Sequence, residues 1–579
     1  MQSNLATQLQ TTRFLGVNLR QNRMTIADED LAKSINADLH AAIGSIWMRL
    51  GREAIFGSAL ADTDVRTVAR ISTRRYQVAG RSLYRAQTKI LDGILSANKI
   101  TTLAPFRPLN ETTTWMFLAD DDGMYKDDGT NLRRWGMLAP TGTPTVAAGA
   151  AGGLTGPYKV RYTFARLVGS NVVAESNPST ASSSVTLAAQ VLSVSAMNVP
   201  NDPQVTHLRL YRTAAGGDTY LFDQNIVAGT TTATSSQADT ALTDLVEVDN
   251  DSTPVCSWIV FHQEHAFLCR DTDNPHYLWY SKRFKPEQVP TDNFLEIGNP
   301  DDPLQCAVPT AGLLGVFAQK SKYRVVGNDT SGFVAYESVS RRGTRSPFST
   351  IATPQGVSFV AKDGIFITDF TSEDMPFGDA ILPIFFGETV NEMSPINWDY
   401  ADTICCIYFK NRFYFAYPSG SNTTPDTVAV YSNDTKRWYF YQYATNVRSF
   451  VVEEDLDQVV HGSVDGQAYI METGTNDGGG STITMTVEKD FGKESPNVFK
   501  LFQYATVDAE LSTESMTITL YVDETLMRTT TITGARTNTT IRFPEQSLGF
   551  RARMKVSYTG TTRIKMHNLF IYAVPLTVV

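Results

Sequence analysis

An apolar strand, a polar turn carrying Asp-Gly, and a second strand rich in aromatic residues recur along this chain. The clearest copies are Asp122-Gly123-Met124-Tyr125, Asp363-Gly364-Ile365-Phe366 and Asp465-Gly466-Gln467-Ala468-Tyr469. Asp-Gly between alternating hydrophobic residues is a strong local signal for a tight hairpin. A single hairpin buries too little to stand alone, so such units must stack on one another. The fullest copy is Ala311–Phe370. Its alternation predicts strands at Leu313–Ala318, Tyr323–Val326, Val357–Val360 and Ile365–Thr368, with Lys362-Asp363-Gly364 as a turn, and it reads as one radial unit of a sheet. Units of four strands recurring at roughly 40–50 residues point to a β-propeller, which closes radially and leaves only short edges. No unit carries a WD or kelch signature.

At 579 residues the chain exceeds what one core supports and should divide into three or four domains. The predicted fold class is all-β: a propeller with an inserted immunoglobulin- or fibronectin-like β-sandwich and a C-terminal β-sandwich. Residues 1–60 read as an extended docking segment, where Leu31, Ile35 and Leu39 behind Asp28 allow at most one helix. Residues 61–138 read as the first part of the propeller. Within them Val78–Ala97 places Leu83, Ala86, Ile90, Ile94 and Leu95 at helical steps and predicts a helix on a sheet edge. Residues 139–250 hold the inserted sandwich: Ala139–Gly156 is so rich in Pro, Gly, Ala and Thr that it reads as a linker, and six or seven short strands follow it, with Glu175–Ser183 as a loop. Residues 251–475 complete the propeller. Residues 476–579, after Gly478-Gly479-Gly480, form a jelly-roll-like sandwich dominated by Thr and β-branched residues.

Charge and motif content narrow the functional classes. A net charge of -10 with pI near 5.3 argues against gripping nucleic acid through phosphates. No run approaches the ~18 apolar residues of a membrane-spanning helix, and the N-terminus has no secretory signal pattern. Five scattered cysteines fit buried, reduced thiols made in a cytosol. Gly492-Lys493-Glu494 lacks the spacing and hydroxyl of a phosphate-binding loop, and neither GxSxG nor HExxH occurs. His262 and His265 at strand spacing would fall on opposite faces. Asp120, Asp121, Asp122, Asp127 and Asp128 lack the spacing of a calcium loop and read as turn residues. Trp115, Trp135, Trp258, Trp279, Trp398 and Trp438 read as blade core, with sugar stacking as the other possibility. The carboxylates are too many to single out a glycosidase pair. No catalytic, cofactor or metal site is expected, and the chain is not expected to be an enzyme.

Several stretches resemble the nozzle or hub proteins of short-tailed bacteriophages, the family of tail stabilisation proteins. NLRQNRMTIADEDLAKSINADLHAAIGSIWMRLG, near the N-terminus, is similar to their opening, which ends in an Arg-x-Gly. Tyr323–Gly327, Gly343–Ser346 and Val357–Phe366 resemble their blade pattern of strand, Gly-Thr-x-Ser loop and Gly-turn hairpin. GPYKVRYTFARLVGSNVVAESNPS with VTHLRLYRTAAGG resembles the sandwich inserted in many relatives. The resemblance implies a structural virion protein of the phage tail, synthesised in the host cytoplasm. It implies a homo-oligomeric ring, a hexamer by analogy, below the portal and its adaptor or head-completion protein, with tail fibres or receptor-binding proteins as further partners. DNA would pass through the lumen without specific binding, in keeping with an acidic duct. Readings from other classes are a propeller glycosidase or capsule depolymerase, and a non-catalytic receptor-binding module. The loop Val339–Pro347 places Arg341, Arg342 and Arg345 together in an acidic protein. They are candidate subunit-interface residues, or else a solvated loop.

Overall fold

The computed structural model of the chain describes residues 7–11, 13–23, 25–97, 99–310, 312–493 and 496–576. The first six residues, Ala311 at the head of the stretch read as a single unit, and Glu494 of the rejected phosphate loop lie outside the described residues. The chain forms two compact units. One holds residues up to Val68, Tyr76–Gly80 and Ser338 onward; the other holds Ala69–Arg75 and Arg81–Glu337.

The fold is an all-β propeller with an inserted and a C-terminal β-sandwich. Among the described residues, seven antiparallel four-stranded meanders provide its blades, beginning at Val65, Thr101, Cys256, Leu304, Ile351, Cys405 and Val447. Each arises from short strands, most of them separated by turns of two to five residues, with longer connections such as those after Phe106, Tyr280 and Tyr417. In the second, Trp115–Asp120 pairs with Gly123–Asp127; in the fifth, Gly356–Ala361 pairs with Gly364–Thr368. In these two hairpins the glycine of the Asp-Gly dipeptide is therefore the first residue of the outgoing strand, whereas Gly466 lies in the turn before Ala468–Met471. Gly364 takes φ +147°, a conformation open to glycine and strained for other residues.

Two sequence-based expectations fail in the blades. Ala311–Phe370 is not one radial unit. Leu313–Ala318 and Lys322–Asn328 belong with Leu304–Thr310 and Gly332–Glu337, whereas Gly356–Ala361 and Gly364–Thr368 belong with Ile351–Thr353 and Met375–Pro376. Gly332–Glu337 is mostly exposed, so it lacks the apolar alternation that would announce it. Val78–Ala97 is not a helix but the end of Arg74–Ala79 and the strands Ser82–Arg85 and Thr88–Leu91. The apparent helical period is broken at Ala86, whose φ of +53° makes the turn between those last two strands.

In the second unit, Cys256–His262 packs on strands of the meanders before and after it. A shared core of Trp115, Phe117, Ala119, Ile259, Ala266 and Leu268 fills the layer. The inserted sandwich has a three-stranded sheet, Thr145–Tyr158, Val185–Ser195 and Ala233–Ser235, over a four-stranded one, Asn171–Glu175, Val160–Val168, His207–Arg212 and Leu221–Val227. The Ala/Gly-rich stretch expected as a linker is thus largely the 14-residue strand Thr145–Tyr158. It contributes Leu154 and Tyr158 to the core, and its partner strand supplies Leu187, Leu192 and Val194. The expected loop Glu175–Ser183 starts as the last residue of a strand and then forms a ladder of period three. The amides of Ser176, Ser179 and Ser182 donate to the carbonyls of Phe164, Tyr162 and Val160. Their hydroxyls accept the amides of the same residues at 3.0, 3.2 and 3.0 Å.

In the first unit, the fifth, sixth and seventh meanders pack in sequence, Ile351–Thr353 on Cys405–Phe409 and that strand on Val447–Glu453. The last has only three strands of its own; Arg52–Ala54 completes it by pairing with Ala468–Met471. The C-terminal sandwich follows strict alternation. Met516, Ile518, Leu520 and Val522 are buried, as are Met554, Val556 and Tyr558 on the neighbouring strand. Each such burial contributes about 1.5–3 kcal/mol. The described residues among 14–54 contain only short strands and no helix, and they run as a strap across both parts of this unit. Val17 pairs with Trp438, Lys33–Ile35 with Thr486–Glu488, and Ile46 and Trp47 with Met566 and Lys565.

Candidate functional site

The strap is fastened by charge buried beside aromatic faces. Arg49 and Arg52 flank Gly51, whose Cβ, if it had one, would lie 1.9 Å from the Asn476 carbonyl oxygen. That close approach seats both guanidiniums against the Asn476-Asp477 turn. Arg49 Nη2 donates to Asp477 Oδ2 at 2.8 Å and its Nε to Asn36 Oδ1 at 2.8 Å. Arg52 donates from Nη2 to Thr445 Oγ1 at 2.7 Å and from Nη1 to His461 Nε2 at 3.1 Å. The Tyr443 ring lies 4.3 Å from the Arg49 guanidinium, and the Tyr469 ring 4.0 Å from that of Arg52. Burial lowers the Arg52 pKa despite Asp477, and burial together with Arg52 holds His461 well below the ordinary histidine value. Neutral His461 therefore accepts from Arg52 and donates from Nδ1 to the Gly462 carbonyl at 3.1 Å. Arg49, Arg52, His461 and Asp477 are all buried, which suits a fastening.

A second fastening lies upstream. Arg23 donates to Asp490 Oδ2 at 2.9 Å and Glu488 Oε2 at 3.0 Å. Burial works against the Arg23 charge, and the two carboxylates outweigh it and raise the pKa. On either side of Arg23 the strap borders a cavity of about 640 Å³, through Asn18, Arg20 and Gln21 before it and Ala27 and Asp30 after it. Its aromatic floor is Trp438 stacked on Phe377 at 5.9 Å, with Tyr431 5.1 Å from Trp438. Two carboxylates line it, and each is engaged: Asp30 accepts from Arg437 Nε at 2.8 Å, and Asp379 pairs with Arg20 at 3.3 Å. Lys436 adds a further cation. The arrangement offers stacking and ion pairing to an incoming group.

The arginine loop divides. Arg342 is turned inward onto its own meander, pairing with Asp363 at 3.0 Å and lying 4.5 Å over the Phe366 ring. Arg341 and Arg345 are exposed. The loop is anchored by Thr344, whose hydroxyl donates to the Val360 carbonyl at 2.8 Å.

His262 and His265 do not lie on opposite faces of one strand. They face each other across a hairpin whose turn is Gln263-Glu264, both at positive φ. The acidic run serves its turns: Asp120 accepts the amides of Ser96 and Asp122, and Asp128 accepts those of Thr130 and Asn131. All five cysteines are buried. Trp115, Trp135, Trp258 and Trp438 are buried, whereas Trp279 and Trp398 are half-buried. No group of three or more His, Cys, Asp or Glu residues among the described residues is arranged to hold a metal ion, and no helix among them is long and apolar enough to cross a membrane. Sequence reasoning missed the Arg49–Arg52–Asp477–His461 cluster. Its signal was the glycine between two arginines in Arg49-Leu50-Gly51-Arg52.

No protein-family model matches this chain, and no curated protein matches it. Solved structures do. Exo-beta-1,3-galactanase from Phanerochaete chrysosporium is 7% identical, with a TM-score of 0.23, covering 56% of this chain and 98% of its own. The extracellular domain of a one-component system from B. thetaiotaomicron is 10% identical, with a TM-score of 0.26, covering 94% and 81%. The Pan2 WD40 domain of Neurospora crassa is 6% identical, with a TM-score of 0.26, covering 73% and 94%. The expectation that the chain is not an enzyme is corrected by the first of these: the matched structures include an enzyme, and that expectation is withdrawn. At these TM-scores the likenesses assign no chemistry to individual residues of this chain.

Proposed function

We propose that this chain is a structural subunit of a short-tailed bacteriophage tail, of nozzle or hub type. In this reading it assembles as a ring below the portal and its adaptor, gives the genome a duct, and carries tail fibres or receptor-binding proteins. The observation that carries the proposal is the strap. The strap that contains the stretch bearing the resemblance is paired to a propeller meander through Ile35 and to the C-terminal sandwich through Lys33–Ile35, Ile46 and Trp47, and just beyond that stretch Arg52–Ala54 pairs with a second meander, with Arg49 and Arg52 buried there. A subunit that must stay rigid while DNA moves through its assembly gains from such stitching. Of the blade phrases of the resemblance, Tyr323–Gly327 lies within a strand of the fourth meander, Gly343–Ser346 in the anchored loop and Val357–Phe366 across a hairpin of the fifth meander, so the phrases are divided between two blades. Electron microscopy of the purified chain tests the reading. Closed rings with a central opening are expected, and isolated particles at all concentrations would overturn it.

A second reading, a propeller acting on host polysaccharide, draws on the cavity floored by Trp438 and Phe377 with Asp30 and Asp379 on its wall. Incubation with host capsule or lipopolysaccharide would release oligosaccharides under this reading. No release would remove it.

A further inference from the structure

The cavity bordered by the strap is unbalanced in charge. Three cations line it, Arg20, Lys436 and Arg437, against two carboxylates, Asp30 and Asp379. Asp30 is buried and accounts for Arg437, whose Nε donates to it at 2.8 Å. Arg20 and Asp379 are both exposed and pair at 3.3 Å. Such a pair is weak, and its two charges cancel whichever way either side chain turns. Lys436 is left over. Its ammonium donates to the side-chain oxygen of Asn433, and among the described residues no carboxylate pairs with it. Asp434, two residues before it, faces His40 at 3.5 Å. The remaining lining is amphipathic. Phe377 and Tyr431 are half-buried and meet edge-on at 5.5 Å, with buried Trp438 backing Phe377. On the strap side Asn18 Oδ1 accepts the amides of Arg20 and Gln21 at 3.1 and 3.2 Å. The Asn18 Nδ2, the Gln21 side-chain amide and Arg437 Nη2 make no hydrogen bond among the described residues, and none of these side chains is buried.

We propose that this cavity binds a sugar that carries a carboxylate, a uronic acid unit of an acidic polysaccharide. The carboxylate is drawn to Lys436, with Arg437 Nη2 as a further donor, while the apolar face of the ring covers Phe377 and Tyr431 and its hydroxyls meet the Asn18 and Gln21 amides. One negative charge cancels the surplus of the lining. A neutral sugar gains nothing from that surplus, and a cationic one is repelled by it. An acidic peptide shares the charge but not the fit. An extended peptide binds a blade by adding a strand to its outer edge, and the edge of Arg437–Tyr441 is already taken by the strap, through Val17 on Trp438 and Ile35 on Phe440. A sugar needs no strand edge, and the volume of about 640 Å³ is within the range of small-ligand sites.

The proposal rests on the second reading only in that the cavity receives a glycan; it needs neither cleavage nor ring assembly. Ligand-observed NMR titration of the full chain at low ionic strength tests it, with methyl glucuronide, methyl glucoside, methyl glucosaminide and the dipeptide acetyl-Glu-Tyr-amide as probes. The glucuronide is expected to bind about tenfold more tightly than the glucoside, the effect of one charge-assisted contact, and the glucosaminide to bind most weakly of the three sugars. Lys436→Gln should bring the glucuronide to within about threefold of the glucoside. Lys436→Glu should place the glucosaminide above the glucuronide. Lys436 is exposed, so both variants keep the fold. No binding of any sugar, equal binding of glucuronide and glucoside, a preference unchanged in both variants, or tighter binding of the dipeptide than of the glucuronide would each overturn the proposal. A glucuronide preference that follows Lys436, without oligosaccharide release from host polysaccharide, upholds this site and removes cleavage. Release without that preference overturns this site and leaves the second reading standing.

Discussion

Asp477 lies between two buried guanidiniums, and its removal would leave both without a carboxylate. Breaking a buried ion pair from one side costs about 3–5 kcal/mol. Asp477→Asn is therefore expected to lower the stability of the first unit by about that amount in chemical denaturation; a change below about 1 kcal/mol would contradict the fastening. His461 gives a pH dependence of definite sign. Its folded pKa lies below the unfolded value near 6.5 because of burial and the neighbouring Arg52. The unfolded chain then takes up a proton that the folded chain refuses, so the stability this group contributes is present above pH 6.5 and is lost as pH falls below it. The slope is bounded by about 1.4 kcal/mol per pH unit for one proton. His461→Gln should flatten the decline between pH 7.5 and 5.5 relative to the unsubstituted chain; parallel curves would rule out this origin.

Hydrogen exchange tests the strap as an element. The amides of Ala32, Asn36 and Met48 donate to carbonyls far along the chain, those of Glu488, Phe440 and Ile564. They should therefore exchange as slowly as those of the sixth meander, not as a surface segment would. Fast exchange at these positions would show that the strap is only laid on the surface. Its composition gave little warning of this. Asp28, Leu31, Ile35 and Leu39 suit one turn of helix as well as a strap, and the partners that decide the matter lie more than 350 residues away. Strands that bury one face were readable, as at Met516–Val522, because the alternation is complete. Thr145–Tyr158 was not, because its small side chains leave most of the core filling to the partner strand. Val78–Ala97 misled because chance spacing of Leu83, Ala86 and Ile90 imitates a helix, and only the backbone at Ala86 distinguishes the two. The boundary inside Ala311–Phe370 was hidden by an exposed strand. Of the candidate interface, the arginine cluster was visible in the sequence, but the inward turn of Arg342 depends on Asp363 and Phe366 of its own meander.

For the whole molecule, that division makes the ring proposal specific. Arg345→Glu should weaken assembly while leaving thermal unfolding unchanged, because its side chain is exposed. Arg342→Glu should instead lower the melting temperature, because it places a carboxylate beside Asp363 and removes the cation from the Phe366 face. Equal effects of the two changes on assembly and melting would contradict the assignment. The acidic balance of 60 carboxylates against 50 Lys and Arg, repeated around a ring, favours a duct that repels DNA phosphates. Assembly itself is the central claim, and native mass measurement of the full chain at micromolar concentration tests it most directly. The ring proposal predicts one closed species at a fixed integer multiple of the 63.9 kDa subunit mass. A single species at the subunit mass across that concentration range would contradict it.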